Sequence, residues 1–90
     1  MDKYEKLYKE IIESGICKGI RFDDVRYLLE KSGFSVRVNS GDHFRYSMDG
    51  IPELINVQPD KTDKKCAKDY QVRQIRKLFR QYKLGGEGHA

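Results

Sequence analysis

Two side chains in this 90-residue chain, His43 and His89, ordinarily titrate near neutral pH and so suit general acid or base work. His89 lies in the glycine-rich terminal stretch Gly85-Gly86-Glu87-Gly88-His89-Ala90, which no periodic pattern holds. His43 follows the turn formers Asn39-Ser40-Gly41-Asp42 and opens a run in which His43, Arg45 and Ser47 alternate with Phe44, Tyr46 and Met48. The strand before that turn sends Arg37 to the same side. A neutral imidazole there has the chemistry to take the proton from an RNA 2′-hydroxyl, with the two guanidiniums placed to neutralise charge gathering on the phosphorus. No metal or cofactor is required for that step. A histidine in this setting also serves simply to bind a phosphate or to cap the turn.

Other chemistries lack their residues. The sequence has no glycine-rich phosphate loop, no Gly-x-Ser-x-Gly elbow, no clustered Cys and His ligands, and no close carboxylate pair on the face that carries His43. Nucleotide hydrolysis and a structural zinc are therefore not expected. Cys17 and Cys66 are far apart and belong to no Cys-x-x-Cys pair, which favours free thiols in a reducing compartment and leaves a bridge between them open. No apolar stretch approaches the roughly 20 residues that cross a bilayer, and Met1-Asp2-Lys3-Tyr4-Glu5-Lys6 is not the start of a signal peptide. A cytoplasmic protein without membrane contact is expected.

The net charge of +4 is unevenly spread. Residues 60–83 hold nine Lys and Arg (Lys61, Lys64, Lys65, Lys68, Arg73, Arg76, Lys77, Arg80, Lys83) against Asp60, Asp63 and Asp69, a local balance of +6 that leaves the rest at −2. Such a segment is the footprint of a polyanion partner, nucleic acid above all, or else a solvated helix face.

The elements that must position these residues follow from periodicity. Asp2 and Glu5 form a capping pattern ahead of Tyr4, Leu7, Tyr8, Ile11 and Ile12 at helical spacing, with Ser14-Gly15 as the stop. Phe22, Val25, Leu28 and Leu29 mark a second helix ending at Gly33. The period then changes to two. Phe34, Val36 and Val38 alternate with polar residues, the run from His43 forms a second strand, and Asp49-Gly50 predicts a type I′ hairpin into a third strand over Ile51 to Gln58, with Pro52 near its entry. After a polar connection, Asp69 is placed to cap a last helix. Val72, Ile75, Leu78, Phe79 and Tyr82 line one side of it, Arg73, Arg76, Lys77, Arg80 and Lys83 fill the remainder, and Gly85-Gly86 ends it.

The order is helix, helix, three strands, helix. A three-stranded antiparallel sheet must bury one face, and only helices are available to cover it, so the expected fold is a two-layer α+β domain. Residues 1–84 form a single domain in this reading, with 1–15 as a helical extension and 85–90 as a flexible tail. Phe34, Val36, Val38, Phe44, Tyr46, Met48, Ile51, Ile55 and Val57 are the expected core series of the sheet. Arg37, His43, Arg45, Asn56 and Gln58 fall on its open face.

Several segments, in this order and spacing, carry a resemblance: Arg21-Phe22-Asp23-Asp24-Val25 with Leu28-Leu29, Gly33-Phe34, Gly41-Asp42-His43-Phe44, Asp49-Gly50, Asn56-Val57-Gln58-Pro59 and Tyr70-Gln71-Val72-Arg73-Gln74-Ile75-Arg76. Together they resemble the HicA family, the toxin components of HicA–HicB toxin–antitoxin pairs, from Ile20 to Leu84, and the first helix resembles an extension found in longer members. The resemblance implies a double-stranded-RNA-binding-like fold, ribosome-independent mRNA cleavage and neutralisation by a HicB antitoxin. In the family a Gly-Ser-His segment at the start of the second strand carries the catalytic histidine, and His43 matches it. Two positions depart from the pattern. Asp42 replaces the serine, putting a carboxylate next to the active residue that would favour its protonated form or repel phosphate, although strand alternation points the two side chains to opposite faces. Phe44 stands where many members have a second histidine and others an aromatic, and it belongs to the core series, which leaves His43 as the working residue.

The expected function is thus a metal-independent endoribonuclease toxin, with His43 as base or acid. Arg37, Arg45, Lys61, Lys64 and Lys65, joined by Arg73 and Lys77 on the last helix, would hold RNA phosphates. The surplus of cation suits a long RNA footprint or an acidic antitoxin. Two other classes remain open on the residues alone: a non-catalytic RNA-binding module, and a protein whose basic helix only docks a partner.

Overall fold

The structure is a computed structural model that describes residues 2–85. Asp2 accepts the Glu5 amide at 2.8 Å and starts α1 (Lys3–Tyr8), as the capping pattern predicts. The helix then widens into a π-helical turn over Lys9–Glu13. Helix α2 (Phe22–Lys31) stops at Gly33, where the Phe34 amide returns to the Leu29 carbonyl at 3.1 Å. Strands β1 (Ser35–Ser40), β2 (His43–Met48) and β3 (Ile51–Val57) form one antiparallel sheet in the order β1-β2-β3, and α3 (Asp69–Gln81) closes the fold. This is the expected two-layer α+β arrangement, in the order α-α-β-β-β-α.

The register sets the faces. Tyr46 stands opposite Ile55, and both are fully buried in one cluster with Phe79, Ile75, Leu28 and Val25. Phe34 and Phe79 stack with ring centroids 6.0 Å apart. Helices α2 and α3 pack against β3, and α1 packs on α2, so the helices form one layer over one face. The alternate residues Arg37, Arg45 and Asn56 stand in a row across the other face, Arg37 opposite Arg45 and Arg45 opposite Asn56.

Four local expectations are corrected. Val36 and Val38 do not enter the core: they are 43% and 55% exposed, because the helices centre on β3 and leave every residue of β1 exposed. The Asp49-Gly50 turn is not type I′, since Gly50 has φ 90° while Asp49 keeps a negative φ, and the hairpin register shifts between Tyr46 and Met48, opposite the segment holding Pro52. Asp69 is the first residue of α3 rather than its cap; Lys68 holds the cap position, and Asp69 pairs instead with Arg73 at 3.9 Å. The helix ends not at Gly85-Gly86 but through Lys83, whose φ of 54° is left-handed, with the Leu84 amide returning to the Phe79 carbonyl at 2.9 Å. Gly85 packs so close to the Tyr4 hydroxyl and the Tyr8 ring that a Cβ would meet them at 2.5 and 2.7 Å. The rest of the expected tail, 86–90 with His89, lies outside the described residues.

Cys17 and Cys66 are unbridged. Among the described residues no helix is long and apolar enough to cross a membrane.

Candidate functional site

His43 is the first residue of β2, with about half of its side chain exposed, on the same face as Arg45 and Arg37. Its ring is held from β3: the Gln58 side-chain amide lies 3.4 Å from His43 Nδ1. Gln58 is itself fixed at its backbone. Its N–H donates to Gln71 Oε1 at 2.9 Å, its carbonyl accepts the Lys68 amide at 3.2 Å, and Gln71 is a buried residue of α3. A chain of polar contacts thus runs from α3 through the end of β3 to the imidazole. The end of the Gln58 amide that faces Nδ1 sets the tautomer: with the amide nitrogen there the neutral ring carries its proton on Nε2 and can only donate it, and with the oxygen accepting from Nδ1–H the lone pair of Nε2 is free to act as a base.

The expected separation of Asp42 from His43 is corrected. Asp42 Oδ1 lies 3.7 Å from His43 Nε2. Strand alternation does not apply to it, because Asp42 sits in the turn between Ser40 and His43, next to a register shift between Val38 and Ser40. Its carboxylate therefore stands beside the nitrogen that would meet a phosphodiester.

Arg37 and Arg45 are exposed, directly opposite one another, and among the described residues neither pairs with a carboxylate. Phe44 turns to the other face, as expected, where its ring lies 5.7 Å from Phe22 and under the Arg26 guanidinium at 3.9 Å. Tyr46 faces the same way. Its hydroxyl donates to Glu30 Oε2 at 2.7 Å and accepts from Arg26 Nε at 3.2 Å. Burial, followed by the bond to Glu30, pushes the Tyr46 phenol up to about 12. It supplies no proton to the open face.

Lys61, Lys64 and Lys65 are exposed in the connection that leaves Gln58, at the end of the sheet that carries His43. That connection is fastened to the entry of α2: Phe22 N–H donates to the Lys65 carbonyl at 2.9 Å, and Ala67 N–H to the Ile20 carbonyl at 2.8 Å. Inside it, Asp60 Oδ1 accepts the Thr62 amide and hydroxyl at 2.8 and 2.9 Å, and these bonds hold its carboxyl below the usual range. Burial and the neighbouring Asp63 carboxylate raise the Cys66 thiol, so Cys66 is a poor nucleophile. A concavity of about 390 Å³ there is lined by Asp60, Asp63 and Asp69 with the single cation Lys18, a predominantly acidic lining. Among the described residues no group of three or more His, Cys, Asp and Glu is arranged to hold a metal ion.

The last helix does not contribute as a single basic face. Arg73 and Lys77 are exposed on the helical layer, while Arg37, His43 and Arg45 lie on the opposite, open side of the sheet. The structure therefore does not bring the two groups together. Arg76 is 7% exposed and is spent internally: Nε and Nη2 donate to the Ile11 carbonyl at 3.0 and 2.7 Å, Nη2 also reaches the Ile16 carbonyl, and Nη1 donates to Cys17 Sγ at 3.0 Å. Arg80 Nη2 donates to the Ile12 carbonyl at 3.1 Å. These two cations satisfy carbonyls that the first helix leaves open at its C-terminal end. The sequence held the signal for Arg76, since Val72, Ile75, Arg76 and Phe79 have the i, i+3, i+4, i+7 spacing of a buried stripe.

Compared with protein-family models, curated proteins and solved structures, the chain matches none.

Proposed function

We propose that this chain is an endoribonuclease that cuts mRNA in the cytoplasm, the toxin of a type II toxin–antitoxin pair of the HicA kind, held inactive by a HicB-type antitoxin. The observation that carries the reading is the imidazole of His43, oriented by Gln58 on an open sheet face beside Arg45 and Arg37. In the proposed reaction the Gln58 amide is turned so that its oxygen accepts from His43 Nδ1–H, which leaves the lone pair on Nε2, and Nε2 takes the proton of an RNA 2′-hydroxyl. The 2′-oxygen bonds to the adjacent phosphorus as the bond to the 5′-oxygen breaks, leaving a 2′,3′-cyclic phosphate and, after protonation, a 5′-hydroxyl. Arg45 and Arg37 neutralise the charge on the phosphoryl oxygens, and Lys61, Lys64 and Lys65 extend the cationic footprint. No metal or cofactor enters this scheme. The resemblance of Gly41-Asp42-His43 and its flanking segments to the HicA pattern supports the same residue.

The test is induced expression of the wild type and of His43→Ala, with RNA integrity and RNA affinity followed in parallel. Growth arrest and cleavage should be lost in the variant, by about 10²- to 10⁴-fold in rate, with affinity retained. Continued cutting by His43→Ala would remove His43 from the reaction. A second reading, RNA binding without cleavage, draws on Asp42 at 3.7 Å from the nitrogen that substrate must approach. RNA bound but uncut by both proteins would decide for it.

A further inference from the structure

Strand β1 is hydrogen-bonded along one side only, because it ends the order β1-β2-β3, and all six of its residues are exposed. Its outer edge presents main-chain N–H and C=O groups to solvent, the template on which another strand adds. Ser35–Ser40 contains neither the proline nor the lysine that commonly guard such an edge. Its single charge, Arg37, faces Arg45 directly across the ladder, an opposition that disfavours the pair unless an anion joins it. On the other face Val36 and Val38 are 43% and 55% exposed, two apolar side chains that the helices leave uncovered.

We propose that β1 is the docking edge for an extended segment of a partner protein in which acidic and apolar residues alternate. Added as a fourth strand, that segment pairs its backbone with the outer edge. Its acids lie beside Arg37, with Arg45 one strand further in, and its apolar residues flank Val36 and Val38. Charge complementarity favours this occupant over a second copy of the chain. Antiparallel self-pairing that preserves the faces sets Arg37 against Arg37, Ser35 or Asn39, and in each case the arginines of both copies gather without a carboxylate. A polynucleotide would satisfy the arginines but offers no strand backbone to the edge and leaves both valines uncovered. The inference rests on β1 and its neighbours and does not depend on the nuclease reading.

The test uses the full chain, with amide NMR shifts and hydrogen exchange of β1 as the readout. The probes are the peptide Glu-Val-Glu-Val-Glu-Val-Glu, the same peptide with lysine for glutamate, the block-ordered Val-Val-Val-Glu-Glu-Glu-Glu, and oligouridylate. The alternating acidic peptide should shift the β1 amides and slow exchange along the outer edge. The lysine and block-ordered peptides should bind about tenfold more weakly or less. Arg37→Glu should abolish the preference for the acidic over the lysine peptide, and Arg37→Gln serves if the first variant does not fold. The proposal is overturned if block and alternating peptides bind alike, or if the shifts fall outside β1. It is equally overturned if protection of β1 rises with protein concentration alone, which assigns the edge to a second copy, or if only oligouridylate protects it.

Discussion

Strands β3 and β1 border the same sheet, but β3 is buried at Ile51, Ile55 and Val57, whereas all six residues of β1 are exposed. Around β3 the chain supplies cover and ties: α2 and α3 pack on it, Tyr82 donates its hydroxyl to Glu53 at 2.8 Å, and Pro52 with its register shift keeps that edge from pairing onward. Around β1 the main support is the ladder to β2, and all six of its residues stay exposed. The two strands have similar alternating patterns, so alternation settles which side a residue faces and says nothing about whether that side is core. What decides the matter is the reach of the helical layer.

Ile55→Ala and Val38→Ala test this contrast most severely. Ile55 is fully buried, and its truncation should cost about 2–5 kcal/mol in urea unfolding, while Val38→Ala should stay within about 0.5 kcal/mol. Equal losses would show that β1 carries a core of its own. Next in size is Arg76→Met, which keeps the volume of the side chain but leaves the Ile11 and Ile16 carbonyls without their donor. About 1.5–3 kcal/mol should be lost from the helix-covered half, and hydrogen exchange at β1 should not change except through global unfolding.

The shared strand β2 gives a pH-dependent contribution. The Tyr46 phenol titrates near 10 when unfolded and about 12 in the fold, so the native state holds that proton longer. The resulting stabilisation is complete below pH 10 and is lost as pH rises toward 12. Stability curves of wild type and Tyr46→Phe should therefore diverge in that window, with the wild type falling more steeply; parallel curves would refute the assignment. The smallest effect is expected at the exposed edge. Arg37→Ser removes the like-charge opposition to Arg45 and should stabilise the fold by about 0.2–1 kcal/mol, more at low salt, and a loss would mean that Arg37 has a partner.

The order of elements was legible because each carries its own period and stop: Leu28 and Leu29 before Gly33, then alternation from Phe34, then Val72 to Phe79 at helical spacing. The open row of Arg37, His43, Arg45 and Asn56 was legible for the same reason, since parity alone assigns a face. Features that depend on distant segments were not. Asp42 approaches His43 because a turn breaks the parity rule, Lys83 takes the left-handed position because Leu84 packs back, and Gln58 meets His43 only once β3 is in register. Arg76 was misread because a cation in an apolar stripe is normally counted as surface, and the carbonyls that claim it lie 60 and 65 residues earlier in the chain.

That last contact has a consequence for how the chain is made. On the ribosome, the sheet and both earlier helices are synthesised before α3, so the carbonyls of Ile11, Ile12 and Ile16 must wait, solvated, for donors made 60 to 68 residues later. The earliest of these elements to be made is thus among the last to be locked. Nascent chains halted before Arg76 should present α1 in a form that proteases can reach, whereas the same helix in the folded domain is closed by α3.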